Sequence, residues 1–173
     1  MKAKFPRAAM LISLLLAGCV SRPPLTTVPS VDLGRYSGRW YEIAKYPNFF
    51  QRGCAGNTTA EYSANTDGSI QVVNQSQGKN GKPMRVSGRA TVVSGSQNTK
   101  LRVNFGGPIS GAYWVIGLDE KNYSWAVVGH PSRQFLWILS RNPKLPAATY
   151  QKILALVAER GYDISRLELT PQN

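Results

Sequence analysis

The chain has 173 residues, with 21 Lys and Arg against 9 Asp and Glu, two Cys and a single His, His130. That length suits one domain around one core, and a charged fraction of 17% beside four Trp, eight Tyr and five Phe excludes a disordered chain. Two Cys and one His supply neither a multi-disulfide framework nor a four-thiolate zinc site, so no metal and no cofactor are expected, while the formal charge of +12 points first to nucleic acid or an anionic membrane.

The N-terminus decides between those partners. Lys2, Lys4 and Arg7 precede an apolar run from Ala8 to Ala17, broken only by Ser13. Such a run makes about 15 Å of helix, half the hydrocarbon thickness, and reads as an export signal over residues 1–18 rather than a span. Leu16-Ala17-Gly18-Cys19 resembles the lipobox of bacterial lipoproteins. The resemblance implies that the Cys19 thiol takes a diacylglycerol and that cleavage makes Cys19 the first residue. With Val20 and Ser21 following and no Asp, the usual sorting rule implies the outer membrane and its periplasmic face. Without the signal, 155 residues remain, with 18 basic and 9 acidic side chains. Export removes the nucleic-acid reading and leaves the charge as a complement to an anionic membrane surface. Residues 19–30 then read as an acylated N-terminus and an extended, proline-bearing tether, and residues 31–173 as the folded domain.

From Arg39 onward, runs rich in Val, Ile, Thr, Tyr and Trp alternate with Gly, Asn, Asp and Pro clusters, the pattern of an antiparallel β-domain. Eight runs are expected as strands: 39–46, 57–63, 69–77, 84–93, 100–105, 112–118, 122–129 and 134–140. The connections Asn65-Thr66-Asp67-Gly68, Lys79-Asn80-Gly81-Lys82 and Ser94-Gly95-Ser96-Gln97-Asn98 carry residues that tolerate positive φ, so they read as hairpins of an up-and-down order. One helix follows: Pro146 lies near its start, Tyr150, Ile153, Leu154 and Val157 share a stripe, and Gly161 ends it. Ile164 to Leu169 reads as a short ninth strand. Tyr113-Trp114-Val115-Ile116 and Phe135-Leu136-Trp137-Ile138-Leu139 are apolar on both parities, unlike a half-exposed sheet. In a closed eight-stranded barrel one parity faces inward; the other is left to the helix or to a second copy in a homodimer.

Gly38-Arg39-Trp40-Tyr41-Glu42-Ile43-Ala44 and Trp137-Ile138-Leu139-Ser140-Arg141-Asn142-Pro143 resemble the first and third signature motifs of the lipocalin family, in the wording of the bacterial lipoprotein lipocalins and apolipoprotein D. The second signature is reduced to Asp119 within Leu118-Asp119-Glu120. The resemblance implies an all-β calyx with the helix packed outside, in which Gly38, Trp40, Tyr41, Asp119 and Arg141 are structural and Arg141 stacks on Trp40. It also implies a lipid or other small hydrophobic ligand, with Tyr62, Phe105 and Trp137 matching cavity aromatics; the anchor beside the membrane and the excess of Lys and Arg point to a fatty acid or lysophospholipid. By strand alternation Leu139 shares the face of Trp137, and Val72 and Asn74 share an inward face on the third strand; ordinary barrel filler is the competing reading for all six. No catalytic set is expected. His130 lies in a Gly-His-Pro-Ser turn without a nucleophile elbow, and Cys54, with Cys19 acylated, is a free thiol or an intermolecular bridge. The competing function is an anchored envelope scaffold with a filled barrel.

Overall fold

The computed structural model describes residues 22–107 and 110–173; the export signal and Cys19 lie outside the described residues. A short helix α1, Leu33–Tyr36, is capped by Asp32, whose carboxylate accepts the Arg35 N–H at 3.1 Å. Eight strands follow, β1 Gly38–Lys45, β2 Cys54–Ala64, β3 Ile70–Gly78, β4 Pro83–Val92, β5 Lys100–Asn104, β6 Gly111–Leu118, β7 Trp125–Gly129 and β8 Leu136–Ser140. Helix α2, Ala147–Glu159, and a two-residue β9, Glu168–Leu169, complete the chain.

Each strand pairs antiparallel with the next, and β1 pairs with both β8 and β2, closing an eight-stranded up-and-down barrel with β9 added on β1. Gly68 and Gly81 turn their hairpins at φ +79° and +76°, a conformation costly for other residues. The strand expected from Ile164 is instead a 3-10 turn, Ile164–Arg166, because the Asp163 carboxylate captures the Ser165 N–H and hydroxyl. The seventh strand starts at Trp125 rather than Asn122, since Tyr123 is left-handed and the Asp119 carboxylate accepts from the N–H groups of Asn122 and Ser124. Cys54 opens β2 rather than lying in a loop.

Two apolar clusters divide the strand parities. Trp40, Tyr62, Val72, Val103, Val115, Val128 and Leu139 face inward. Ile43, Ile116, Val127, Leu136 and Ile138 face outward and are covered by Ile153 and Val157 of α2. Each of those two helix residues is fully buried and contributes about 1.5–3 kcal/mol. The second apolar parity is therefore occupied by the helix. The segment read as a tether also packs: Leu25 joins the outer cluster, Val28 and Val31 the inner one, and the Val28 and Val31 N–H groups donate to Val115 and Gln97 carbonyls at 3.0 Å. Its prolines masked this apolar spacing.

Beyond Tyr41, β1 and β2 no longer pair, and the C-terminal residues fill the seam. Thr170 N–H donates to the Ile43 carbonyl at 2.9 Å and Asn57 N–H to the Pro171 carbonyl at 2.8 Å. Gln172 Nε2 bridges the carbonyls of Glu42 and Thr58 at 2.7 and 2.9 Å.

Candidate functional site

The start of β1, α1 and the β6–β7 connection shut one end. Trp40 is fully buried, its Nε1 donates to the Tyr36 carbonyl at 2.8 Å, and the Arg141 guanidinium lies 3.8 Å from its ring centre. Arg141 donates to the carbonyls of Arg39, Arg35 and Ser37 at 2.8, 2.7 and 2.9 Å. Gly38, at φ +92°, lets the chain turn beneath it, and Tyr41 packs on the outer cluster. Burial works against ionised Asp119, yet bonds from Ser124 and Asn122 hold its carboxyl below the ordinary value. Gly38, Trp40, Asp119 and Arg141 thus lie together at the closed end, and Tyr41 lies apart from them on the outer face.

The lumen above this plug is tightly filled at first. Tyr36 and Tyr113 hydroxyls are 2.8 Å apart, and Tyr113 donates to Tyr62 at 3.0 Å, so Tyr36 must donate to Tyr113 and the Tyr62 proton is left for an acceptor outside the triad. Burial pushes the Tyr62 phenol up to about 12 and that of Tyr113 well above its usual value. The cavity between these rings, Ile70, Ala90 and Val103 is about 20 Å³, room for one water.

Toward the other end the barrel is less covered: Met84 and Val86, paired with Ser76 and Asn74 across β3 and β4, are 40% and 44% exposed. The β1–β2 connection carries a 3-10 turn, Phe49–Gln51, and beside it Trp137 stacks on Phe135 with 10° between rings and contacts Phe50. Trp137 Nε1 donates to Gln51 Oε1 at 3.0 Å, Gln51 Nε2 to Glu42 Oε2 at 2.7 Å, and Thr170 Oγ1 to Glu42 Oε1 at 2.6 Å. Glu42 is 3% exposed; burial pushes its carboxyl up, against the pull of Thr170, Gln51 and Lys45. On the adjoining β2 and β3, Thr58 Oγ1 and, opposite Ala60, Asn74 Oδ1 are buried without a hydrogen-bond partner.

The six residues expected around a ligand therefore separate by depth. Tyr62, Val72 and Leu139 are buried in the filled part. Asn74 and Trp137 line the open part, and Phe105, at the end of β5, is 42% exposed at the rim, where its ring lies over Gly88. Glu42, Gln51, Thr58 and the Tyr36–Tyr113 pair were not singled out by sequence. Strand parity could have flagged three of them: Glu42 shares the inward parity of Trp40, Thr58 that of Tyr62 and Tyr113 that of Val115. Cys54 has no disulfide partner among the described residues, and its Sγ accepts from Ser76 Oγ at 3.1 Å; His130 lies edge-on to Phe135 in its turn.

A barrel plugged at one end, open at the other and flanked by one helix is the architecture of a calyx-type binding protein. The family model for a lipocalin-like domain matches residues 31–172, and the chain belongs to the lipocalin family. The outer membrane lipoprotein Blc of Vibrio cholerae is 39% identical over 160 residues, 91% of this chain and 93% of Blc. Apolipoprotein D of Mus musculus is 34% identical over 165 residues, 91% of this chain and 84% of its own. Among solved structures, insecticyanin from the tobacco hornworm Manduca sexta has a TM-score of 0.69 at 23% identity, covering 86% of this chain and 85% of insecticyanin; that likeness is one of fold.

Proposed function

We propose that this lipocalin is a membrane-anchored binding protein, not an enzyme, which carries or stores a lipid in the cell envelope. Cys19 bears the acyl anchor, and the domain faces the periplasm from the outer membrane, a reading supported by the lipobox wording and by the name of the Vibrio cholerae relative. The observation that carries the ligand reading is the buried, unpartnered Asn74 Oδ1, opposite the exposed Val86 on the neighbouring strand, since a buried acceptor is costly until a donor reaches it. A lysophospholipid supplies that donor through its glycerol hydroxyl, whereas an ionised fatty acid has none. Lysophospholipid is therefore the favoured ligand, its chain lying beside Trp137 and Phe105.

Titration of Trp emission with lysophosphatidylethanolamine and with palmitate tests this. Lysophospholipid should bind more tightly, and Asn74→Leu should weaken it about tenfold, the value of one hydrogen bond to a buried group. Equal binding by the variant removes Asn74 from the site. The closely filled lower lumen favours a second reading, an anchored scaffold without internal ligand. Native mass spectrometry showing no retained or added lipid would decide for it.

A further inference from the structure

The four connections at the open end span residues 46–53, 78–83, 105–110 and 130–135, and none contains a carboxylate. They carry Arg52, Lys79, Lys82 and Arg133, whereas those of the closed end hold Asp67, Asp119 and Glu120 together with Lys121; the carboxylate of Asp163, whose backbone carbonyl accepts from Tyr46, lies beyond the mouth connections on the C-terminal segment. Large exposed apolar side chains gather at the same end: Phe49 is 67% and Phe50 52% exposed, with Met84, Val86 and Phe105 close behind on adjoining strand ends. Nearby Glu168 is already paired with Lys45 at 3.1 Å. Aromatic rings among cations suit the boundary of an anionic bilayer.

The course of the N-terminal segment bears on this independently. Val31 is bonded at the closed end, to Gln97; from there, read backwards, the chain climbs the outer wall past Thr27, bonded to Thr99 at 3.0 Å, to Pro23. The Pro23 carbonyl accepts from Arg133 Nη2 at 2.8 Å, in a mouth connection, and the Arg22 charge acts on the Tyr46 phenol at the mouth end of β1. Pro23 is four residues from Cys19, a reach of at most about 14 Å.

We infer that the barrel sits mouth-down on an anionic phospholipid bilayer, held there by the short leash that leaves the wall at Arg133, with Arg52, Lys79 and Lys82 on head groups and Phe49 and Phe50 entering the interface. The lumen then opens onto the lipid phase from which a ligand comes. This rests on the acylation of Cys19 proposed above.

The mature acylated protein, carrying Cys54→Ser, is spin-labelled at Phe49→Cys or, at the closed end, at Thr66→Cys, and bound to phosphatidylethanolamine–phosphatidylglycerol vesicles. Flotation and the mass of the N-terminal peptide report the anchor. The label at position 49 should lose access to a water-soluble nickel chelate and gain access to oxygen, while that at 66 stays in water. Arg52→Glu combined with Lys79→Glu and Lys82→Glu should restore nickel access at 49 without preventing flotation. Protein that floats with both labels in water, or with 66 shielded, overturns the orientation alone. Protein that does not float, with Cys19 unmodified, overturns the anchor and the inference together.

Discussion

Arg141 covers the indole of Trp40 at 3.8 Å while its guanidinium binds three carbonyls that close the base of the barrel. One side chain thus joins β8 to β1 and to α1. A Lys at this position keeps the charge but has neither the flat face nor the fork. Arg141→Lys should cost about 2 kcal/mol, seen as a fall of about 4–8 °C in Tm; an unchanged Tm would deny the stack any structural role.

That pair was legible in the sequence because each partner sits within a run of distinctive wording on an unmistakable strand. So was the barrel, since hairpin turns and β-rich runs are local signals. What escaped has a common cause. Glu42 meets Thr170 across 128 positions and Gln51 through a loop turn, and no spacing rule connects such residues. The four residues of α1 are too few to show a period, and Leu25 and Val28 were hidden among prolines. Phe105 follows the inward parity of Leu101 and Val103, but parity along a strand does not report depth, and depth decides whether a ring is filler, wall or rim.

Glu42 should make stability depend on pH in an identifiable direction. Its folded-state value lies above the ordinary 4.5, so the folded state binds the proton more tightly than the unfolded state. The resulting stability is full below about 4.5 and is lost as pH rises through the elevated value. Asp119, shifted down, acts in the opposite sense and in a lower window, losing its contribution as pH falls. His130, lowered by burial, acts in the opposite sense below 6.5 in both proteins, so the difference in denaturant midpoint between wild type and Glu42→Gln should shift against the wild type as pH rises from 4.5. Parallel profiles would assign the slope to another group.

The buried phenol chain predicts unequal costs for two similar substitutions. Tyr113→Phe removes the bonds to both Tyr36 and Tyr62 and strands two hydroxyls, costing about 2–3 kcal/mol; Tyr62→Phe strands only the Tyr113 proton and costs about 1–2 kcal/mol. Chemical denaturation of both variants gives the comparison, and equal losses would mean that the chain is not bonded in this order. In alkaline titration Tyr62 should ionise only near 12, above the ordinary tyrosine value of 10.

Beyond the end of helix α2, Tyr162 docks on the barrel at a residue with no side chain, Gly129. Tyr162 donates to the His130 carbonyl and accepts the His130 N–H, both at 3.0 Å, and its hydroxyl occupies the space that a Cβ on Gly129 would need. Gly129→Ala should therefore displace Tyr162 and cost about 2–3 kcal/mol. In a Tyr162→Phe background the same substitution should cost clearly less, because the overlapping oxygen is gone. A double-mutant cycle on Tm or denaturant midpoint measures that coupling. Additive losses would place the clash on Ile116, whose Cδ1 lies 3.0 Å from the same position, and would leave the Tyr162 hydroxyl without a role in docking the helix.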